Sequence, residues 1–322
     1  MNHDLLAIAT MGAIVLVAVL RATTPILFAA LGGLIADLAG STNVALEGIM
    51  LIAAFAGVVA SVYAAVWWPD LAPWIYPWIG CAAGIAAALL TTALLAFFHL
   101  ELEADLIVAG IAINILAAGL TVFLLASLIG DKGSTASLHS PVLPSIHVAG
   151  LAGIPLLDTL VNGETGRGHH ILIYLAFLSV AAVSALLCRT RHGAWIRAVG
   201  ENRQAALSAG IPVKRVQYLA LLLSGLFAGL GGLYLSMGYL SLFQTDMTAG
   251  RGFLALAAVF LGARRALGTL AAALLFGASA VAATRLGGFN VPPEIVYMLP
   301  PFVTICMLMF AGRRRATTVL RS

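Results

Sequence analysis

Charge is scarce in this sequence. Only 9% of its 322 residues are Asp, Glu, Lys or Arg, against about a quarter in soluble domains. Thirteen acids and 17 bases cannot cover a water-facing surface, which excludes a soluble enzyme, a nucleic-acid binder and a disordered chain. Cysteine is scarce too. Cys81, Cys188 and Cys306 are odd in number, far apart and set in or beside apolar runs, so neither a disulfide framework nor a zinc site is indicated. Catalytic motifs are missing as well: no His-Glu-x-x-His, no Gly-x-Ser-x-Gly and no phosphate loop ending in Gly-Lys-Ser/Thr. The chain therefore offers neither an intramembrane enzyme nor a nucleotide site of its own. His169-His170 lacks the further ligands at helical spacing that a metal needs. What remains is 61% hydrophobic with a mean hydropathy of +1.04. This is an all-α, polytopic membrane protein, expected to bind no cofactor itself.

Reading for stretches of roughly 20 apolar residues gives ten candidate spans, at about 5–20, 23–38, 43–66, 74–98, 104–130, 170–189, 213–238, 246–262, 266–284 and 293–311. The first lacks the cationic start and small-x-small cleavage site of a signal peptide and reads as a retained helix. Twelve of the 17 bases fall in three clusters: Arg189, Arg191, Arg197, Arg203, Lys214 and Arg215; Arg264 and Arg265; and Arg313, Arg314, Arg315 and Arg321. Ten spans put all three on one side, which the positive-inside rule makes cytoplasmic, together with both termini. The pI near 9.2 reflects these loops. Trp67, Trp68, Trp74 and Trp78, interleaved with Pro69, Pro73 and Pro77, mark an outer interface. The long outer loop 131–169, rich in Gly, Ser, His and Pro, is expected to pack as a cap.

The chain repeats itself. Phe28-Ala29-Ala30-Leu31-Gly32-Gly33-Leu34 matches Phe227-Ala228-Gly229-Leu230-Gly231-Gly232-Leu233 at a shift of 199. Ala45-Leu46-Glu47-Gly48 and Leu51-Ile52-Ala53-Ala54 echo Ala249-Gly250-Arg251-Gly252 and Ala255-Leu256-Ala257-Ala258 at a shift of 204. Five candidate spans separate the copies, an odd number, so the second copy is inverted in the membrane. The half-repeats run over about 23–130 and 213–311 of a single transmembrane domain. Inverted repeats around broken helices are a transporter signature.

Three polar features interrupt the apolar pattern, each open to two readings. Asp37-Leu38-Ala39-Gly40-Ser41-Thr42-Asn43, with its counterpart Phe243-Gln244-Thr245-Asp246, is an ordinary short loop or the break in a discontinuous helix lining a cavity. Glu47 and Arg251, at equivalent repeat positions, strengthen the second reading, because an ionisable residue inside a span is costly unless it pairs or meets water. Asn114, alone in Ile111-Ala112-Ile113-Asn114-Ile115-Leu116, is interhelical glue or a contact for a polar solute. Together Asn43, Glu47, Asn114 and Arg251 form the candidate pathway. The third feature, Gly200 to Pro212 in the basic loop 190–212, is a plain surface loop or a short helix that docks on a partner. Asn202 is a good N-cap, Gly210 a good C′ residue, and Pro212 stops continuation. Seven or eight helical residues are marginal alone. The small residues Ala205, Ala206 and Ala209 would let a groove approach closely.

This third segment resembles the coupling-helix loop of ABC importer permeases serving simple sugars, branched-chain amino acids and nucleosides. The resemblance extends over most of the chain: Thr24-Pro25 through Gly33, Asn43 to Met50, Ala109 to Leu116, Ala198-Val199-Gly200-Glu201-Asn202, Ala209-Gly210-Ile211, Ser224-Gly225 and Gly252 to Ala257. Within the family it is most similar to the shorter of two paired permeases of purine-nucleoside importers. The stretch from Asp37 to Thr42 departs from the Glu-Arg-Gly/Ser-Gly-Val-Val/Ile pattern of that branch. The resemblance implies an importer subunit of a bacterial inner membrane that forms the route for a nucleoside or simple sugar. It also implies a second permease, an extracytoplasmic binding protein, and cytosolic ATPases that hold ATP-Mg and couple through Gly200, Glu201, Asn202, Ala205, Ala206, Ala209 and Gly210. Another small polar solute is the alternative within the family. An ion-coupled secondary transporter would need clustered carboxylates near the midplane, where only Glu47 stands.

Overall fold

A backbone in lipid must satisfy its own N–H and C=O groups, and an apolar run does so by becoming a helix. The computed structural model describes residues 2–131, 133–138, 140–148, 155–163, 168–287 and 302. In chain order the elements are α1 (Asn2–Leu38), α2 (Leu46–Trp67), α3 (Tyr76–Leu100), α4 (Leu106–Ile129), β1 (Ser145–Ile146), α5 (Pro155–Asn162), β2 (His169–His170) and α6 (Ile171–Arg189). Then come α7 (Arg191–Glu201), α8 (Arg203–Ser208), α9 (Val213–Tyr234) running into a π-helical turn over Leu235–Tyr239, α10 (Arg251–Leu261) and α11 (Ala266–Gly287). Among the described residues seven helices are long and apolar enough to cross a membrane: Met11–Leu38, α2, α3, α4, α6, Val213–Tyr239 and Ala266–Arg285. The chain is a multi-pass membrane protein.

Three expected spans come out differently. Residues 5–20 and 23–38 are one continuous helix of 37 residues with Pro25 inside it. The Arg21-Ala22-Thr23-Thr24-Pro25 sequence reads as a boundary. However, Thr23 Oγ1 donates to Val19 O (2.7 Å) and Thr24 Oγ1 to Leu20 O (2.8 Å), covering carbonyls beside the proline's missing N–H. Asn2 and Leu38 therefore lie at opposite ends of one element, so the start of the chain does not share the face of Asp37. The span expected over 246–262 is a run of turns followed by α10, only 11 residues long. The span over 293–311, residue 302 apart, lies outside the described residues.

The two copies of the Phe-Ala-x-Leu-Gly-Gly-Leu segment lie against each other. Helices α1 and α9 pack antiparallel at the centre of the bundle, with the Phe28 and Phe227 ring centroids 6.5 Å apart. A Cβ on Gly32 would stand 2.6 Å from Ser224 O, so this approach requires glycine. Around that pair stand α2 and α3 on one side and α10 and α11 on the other. Helix α4 buries only a stripe, Gly110, Ile113, Ala117, Thr121 and Leu125, and turns the rest of its apolar surface outward. Asp105 caps its start by accepting from Ile107 N and Val108 N, and left-handed Gly130 ends it.

Loop 131–169 is built, in its described part, from α5 and a two-residue antiparallel hairpin, Ser145 opposite His170 and Ile146 opposite His169. Its first residues pair with the turns after α9. Thr135 N donates to Phe243 O (2.9 Å), Phe243 N to Thr135 Oγ1 (2.9 Å) and Thr245 N to Gly133 O (3.0 Å).

Candidate translocation site

The first break carries the chain back into the bundle. At the end of α1, Gln217 on α9 donates to Ser41 Oγ (3.2 Å). Asn43 Nδ2 then donates to Ser224 Oγ (3.0 Å), seven residues and about 10 Å further along α9. Asn43 Oδ1 accepts from Ala45 N (2.9 Å), holding the turn. Helix α2 thus begins inside the bundle, with Leu46, Gly48 and Ile49 buried, and runs outward. The second break does the reverse. Residues 240–250 leave the π-helical turn and lead to Gly250, from which α10 runs beside Gly33 to the Arg264 loop. Ser241, Asp246 and Ala249 hold positive φ there without being glycine. Such conformations need surrounding structure to enforce them, and the Thr135–Phe243 pairing supplies it.

The two half-helices meet at Glu47. Its Oε1 accepts from Gly250 N (2.7 Å) and its Oε2 from Gly252 N (2.5 Å), so a carboxylate from the start of α2 caps the start of α10. The electropositive end of a helix favours a negative group there. Gly252 sits so close, its Cβ position 2.5 Å from Glu47 N, that any side chain would push the half-helices apart. Arg251 turns back to donate to Met247 O (2.9 Å) and Thr248 O (3.2 Å) and remains an electrostatic neighbour of Glu47. At the equivalent point of α2, Gly48 N donates to Asn114 Oδ1 (2.7 Å), while Asn114 Nδ2 donates to Val44 O (3.0 Å). Both ends of the Asn114 amide are therefore engaged with the backbone of the first break. The four candidate pathway residues come together in one polar centre. Asn43 is fully buried, whereas Glu47, Asn114 and Arg251 keep part of their surface open.

Below this centre lies a second cluster. Asp37, buried at the end of α1, accepts from Thr42 Oγ1 (2.8 Å) and pairs with Arg264 Nε (2.7 Å) in the loop joining α10 to α11. Gly200 at the end of α7 lies so near Leu38 O and Gly40 that a Cβ there would collide with the Leu38 carbonyl. The basic loop is thus wedged directly against the first break.

That loop is more helical than its sequence suggests. Helix α7 starts from Thr190, whose Oγ1 accepts from Gly193 N (3.1 Å), and buries Gly193, Ile196 and Val199. Asn202 caps α8 by accepting from Ala205 N (3.0 Å), and Gly210 is left-handed at φ +76°. Helix α8 has six residues, one or two fewer than expected. Glu201, Asn202, Ala205, Ala209 and Gly210 are exposed. Gly200 is exposed as well, with its backbone packed against Leu38 and Gly40. Ala206 is buried and presents no surface to a partner, because the six-residue helix turns that side chain into the chain's own core. Missing from the sequence reading of the site are Gln217, the role of Ser224 two helical turns further along α9, and Arg264 as the partner of Asp37. The spacing of the first two was a usable signal.

Residues 15–308 match the model of a family described as branched-chain amino acid transport system / permease component. The guanosine ABC transporter permease protein NupQ of Bacillus subtilis is 33% identical over 309 residues, covering 94% of this chain and 93% of NupQ. The nucleoside ABC transporter permease protein NupC of Lactococcus lactis is 32% identical over 296 residues, 90% of each chain. A putative glucose ABC transporter permease protein, TsgC13 of Haloferax volcanii, is 32% identical over 262 residues, 81% of this chain and 74% of its own.

Proposed function

We propose, from the premise that this chain belongs to the branched-chain amino acid transport system permease family, that it is the membrane subunit of an ATP-binding-cassette importer for nucleosides. The observation that carries this reading is the 33% identity to a guanosine permease along 94% of the chain. The relative whose name specifies glucose makes a simple sugar the second reading. The chain does no chemistry. ATP is hydrolysed by cytosolic partner subunits, a second and different permease completes the route, and an extracytoplasmic binding protein delivers the solute. The membrane is the bacterial plasma membrane. Arg189–Arg215 and Arg264–Arg265 face the cytoplasm by the positive-inside rule, which puts the start of α1 on the outer side.

The chain is read as two inverted halves. Two features support this: the matched segments pack antiparallel, and Gly48 and Gly252, one repeat shift apart, each open a half-helix whose N–H is held by a side chain from another element. Glu47, Arg251 and Asn114 line the route where the half-helices meet, and Asn43 supports them. Exposed α8 meets the ATPase through Glu201, Asn202, Ala205, Ala209 and Gly210, and Gly200 relays its displacement to the break. Closure of the ATPases moves α7–α8 and switches the route between two states. Proteoliposomes holding the complete transporter test the reading. ATP-dependent uptake of labelled guanosine or adenosine is expected. Uptake of leucine but of neither nucleosides nor glucose, or uptake driven by an ion gradient without ATP, overturns it.

A further inference from the structure

On the outer side, beside the route just described, lies a cavity of about 740 Å³ between α1, α6, the hairpin and the π-helical turn. Its polar wall consists of Arg21, Ser145, His170, Tyr234, Tyr239 and Ser241. This lining is unlike the other faces of the bundle. It combines a guanidinium, an imidazole, two phenols and two hydroxyls in one wall of a chain that is 61% hydrophobic. None of the described lining residues is acidic.

Its geometry comes from the π turn. In a π-helix residues five apart are hydrogen-bond partners along one face, whereas in an α-helix they diverge. The turn over Leu235–Tyr239 therefore brings Tyr239 to the side of Tyr234, their ring centroids 6.5 Å apart. His170 stands edge-on to Tyr234 at 6.0 Å. Tyr234 is buried, while Tyr239 is 55% exposed and presents an open ring face. Burial pushes the His170 pKa down to about 4, against a hydrogen bond to the Met237 backbone, so near neutral pH it is an uncharged donor and acceptor. Arg21 and Tyr239 are both electrostatic neighbours of Tyr234, and Tyr239 is also a neighbour of Arg251. Ser241 opens the segment 240–250 that leads to Gly250. Tyr239 thus lines the cavity and lies within electrostatic reach of Arg251.

We infer that this cavity is the entry site of the route, and that it takes an uncharged, hydroxylated solute bearing a planar ring, which stacks on Tyr239 while its hydroxyls bond Arg21 and Ser241. The inference rests on the nucleoside reading above and extends it to a specificity. A zwitterionic amino acid would find Arg21 for its carboxylate but, in the described wall, no carboxylate for its ammonium group. A nucleobase has a face for every aromatic ring, and stacking of this kind tolerates many bases.

The test uses the complete transporter in proteoliposomes, with labelled adenosine. Tyr239→Leu should raise the KM for uptake about fivefold or more, the lower end of what one stacked base contributes, while Tyr239→Phe stays within about twofold of wild type. Excess leucine should not compete. In parallel, 8-azidoadenosine irradiated on the wild type should label the segment 234–241. Uptake by Tyr239→Leu with unchanged KM overturns the inference. If that variant fails to assemble, the labelling decides: label on 234–241 supports the site, and label elsewhere in the chain overturns it. Wild-type transporter that moves no nucleoside or sugar instead overturns the functional reading, and this inference with it.

Discussion

Replacing Glu47 with Gln removes a charge at almost constant shape and separates bridging from space-filling. The carboxylate accepts two backbone hydrogen bonds, from Gly250 N at 2.7 Å and Gly252 N at 2.5 Å. Bonds to a charged group contribute about 1.5–3 kcal/mol each. A glutamine keeps one acceptor and turns an NH2 group toward the other backbone N–H, so one bond is lost and the other becomes neutral. The expected cost is about 2–3 kcal/mol. Glu47→Ala orphans both N–H groups at the start of α10 and should cost about twice as much, since each buried donor left unpaired costs about 1–3 kcal/mol. Thermal unfolding of the purified transporter measures both variants, with uptake per folded molecule recorded beside it. The 2:1 ratio is the sharper criterion, because it does not depend on the absolute scale. Two variants indistinguishable from wild type in unfolding would refute the bridge between the half-helices.

Asn114→Leu should strip the first break of its cap, leaving Gly48 N–H and Val44 C=O unpaired at about 1–3 kcal/mol each. Asn114→Asp, which keeps the acceptor, should fall between Leu and wild type in unfolding. Normal stability with reduced uptake per molecule in the Leu variant would make Asn114 a solute contact and not a cap. Arg264→Gln should strand the buried Asp37 carboxylate and lower the transport obtained per ATP, and adding Asp37→Asn should recover most of the loss. Additive effects in that double-mutant cycle would remove Asp37–Arg264 from the coupling path.

The sequence made the first break legible because five of the seven residues from Asp37 to Asn43 are polar or glycine, in a stretch that is otherwise apolar. The caps of α8 were legible for the same local reason, since Asn202 and Gly210 act on their immediate neighbours. Helix α7 was not. Its buried Gly193, Ile196 and Val199 follow helical spacing, but Arg191, His192 and Arg197 around them read as loop. The fusion of the first two spans was hidden because Thr23-Thr24-Pro25 looks like a helix boundary, whereas both threonine hydroxyls bond back to helix carbonyls and the helix continues through the proline. Glu47 was readable as a costly acid whose repeat counterpart is Arg251, but not as the cap of α10. Its acceptors meet donors more than 200 positions away, and nothing local encodes that distance.

The contact between Gly200 and the Leu38–Gly40 backbone is main chain against main chain. Such a contact resists compression steeply and offers almost no tension. In the cycle proposed above, advance of the loop would push the break, whereas its withdrawal would draw nothing after it through this contact. The return stroke would then fall to the bonds that can pull, Thr42 to Asp37 and Asp37 to Arg264. On that proposal the joint is a ratchet pawl with its spring mounted separately, and the forward and reverse halves of the cycle are open to independent tuning.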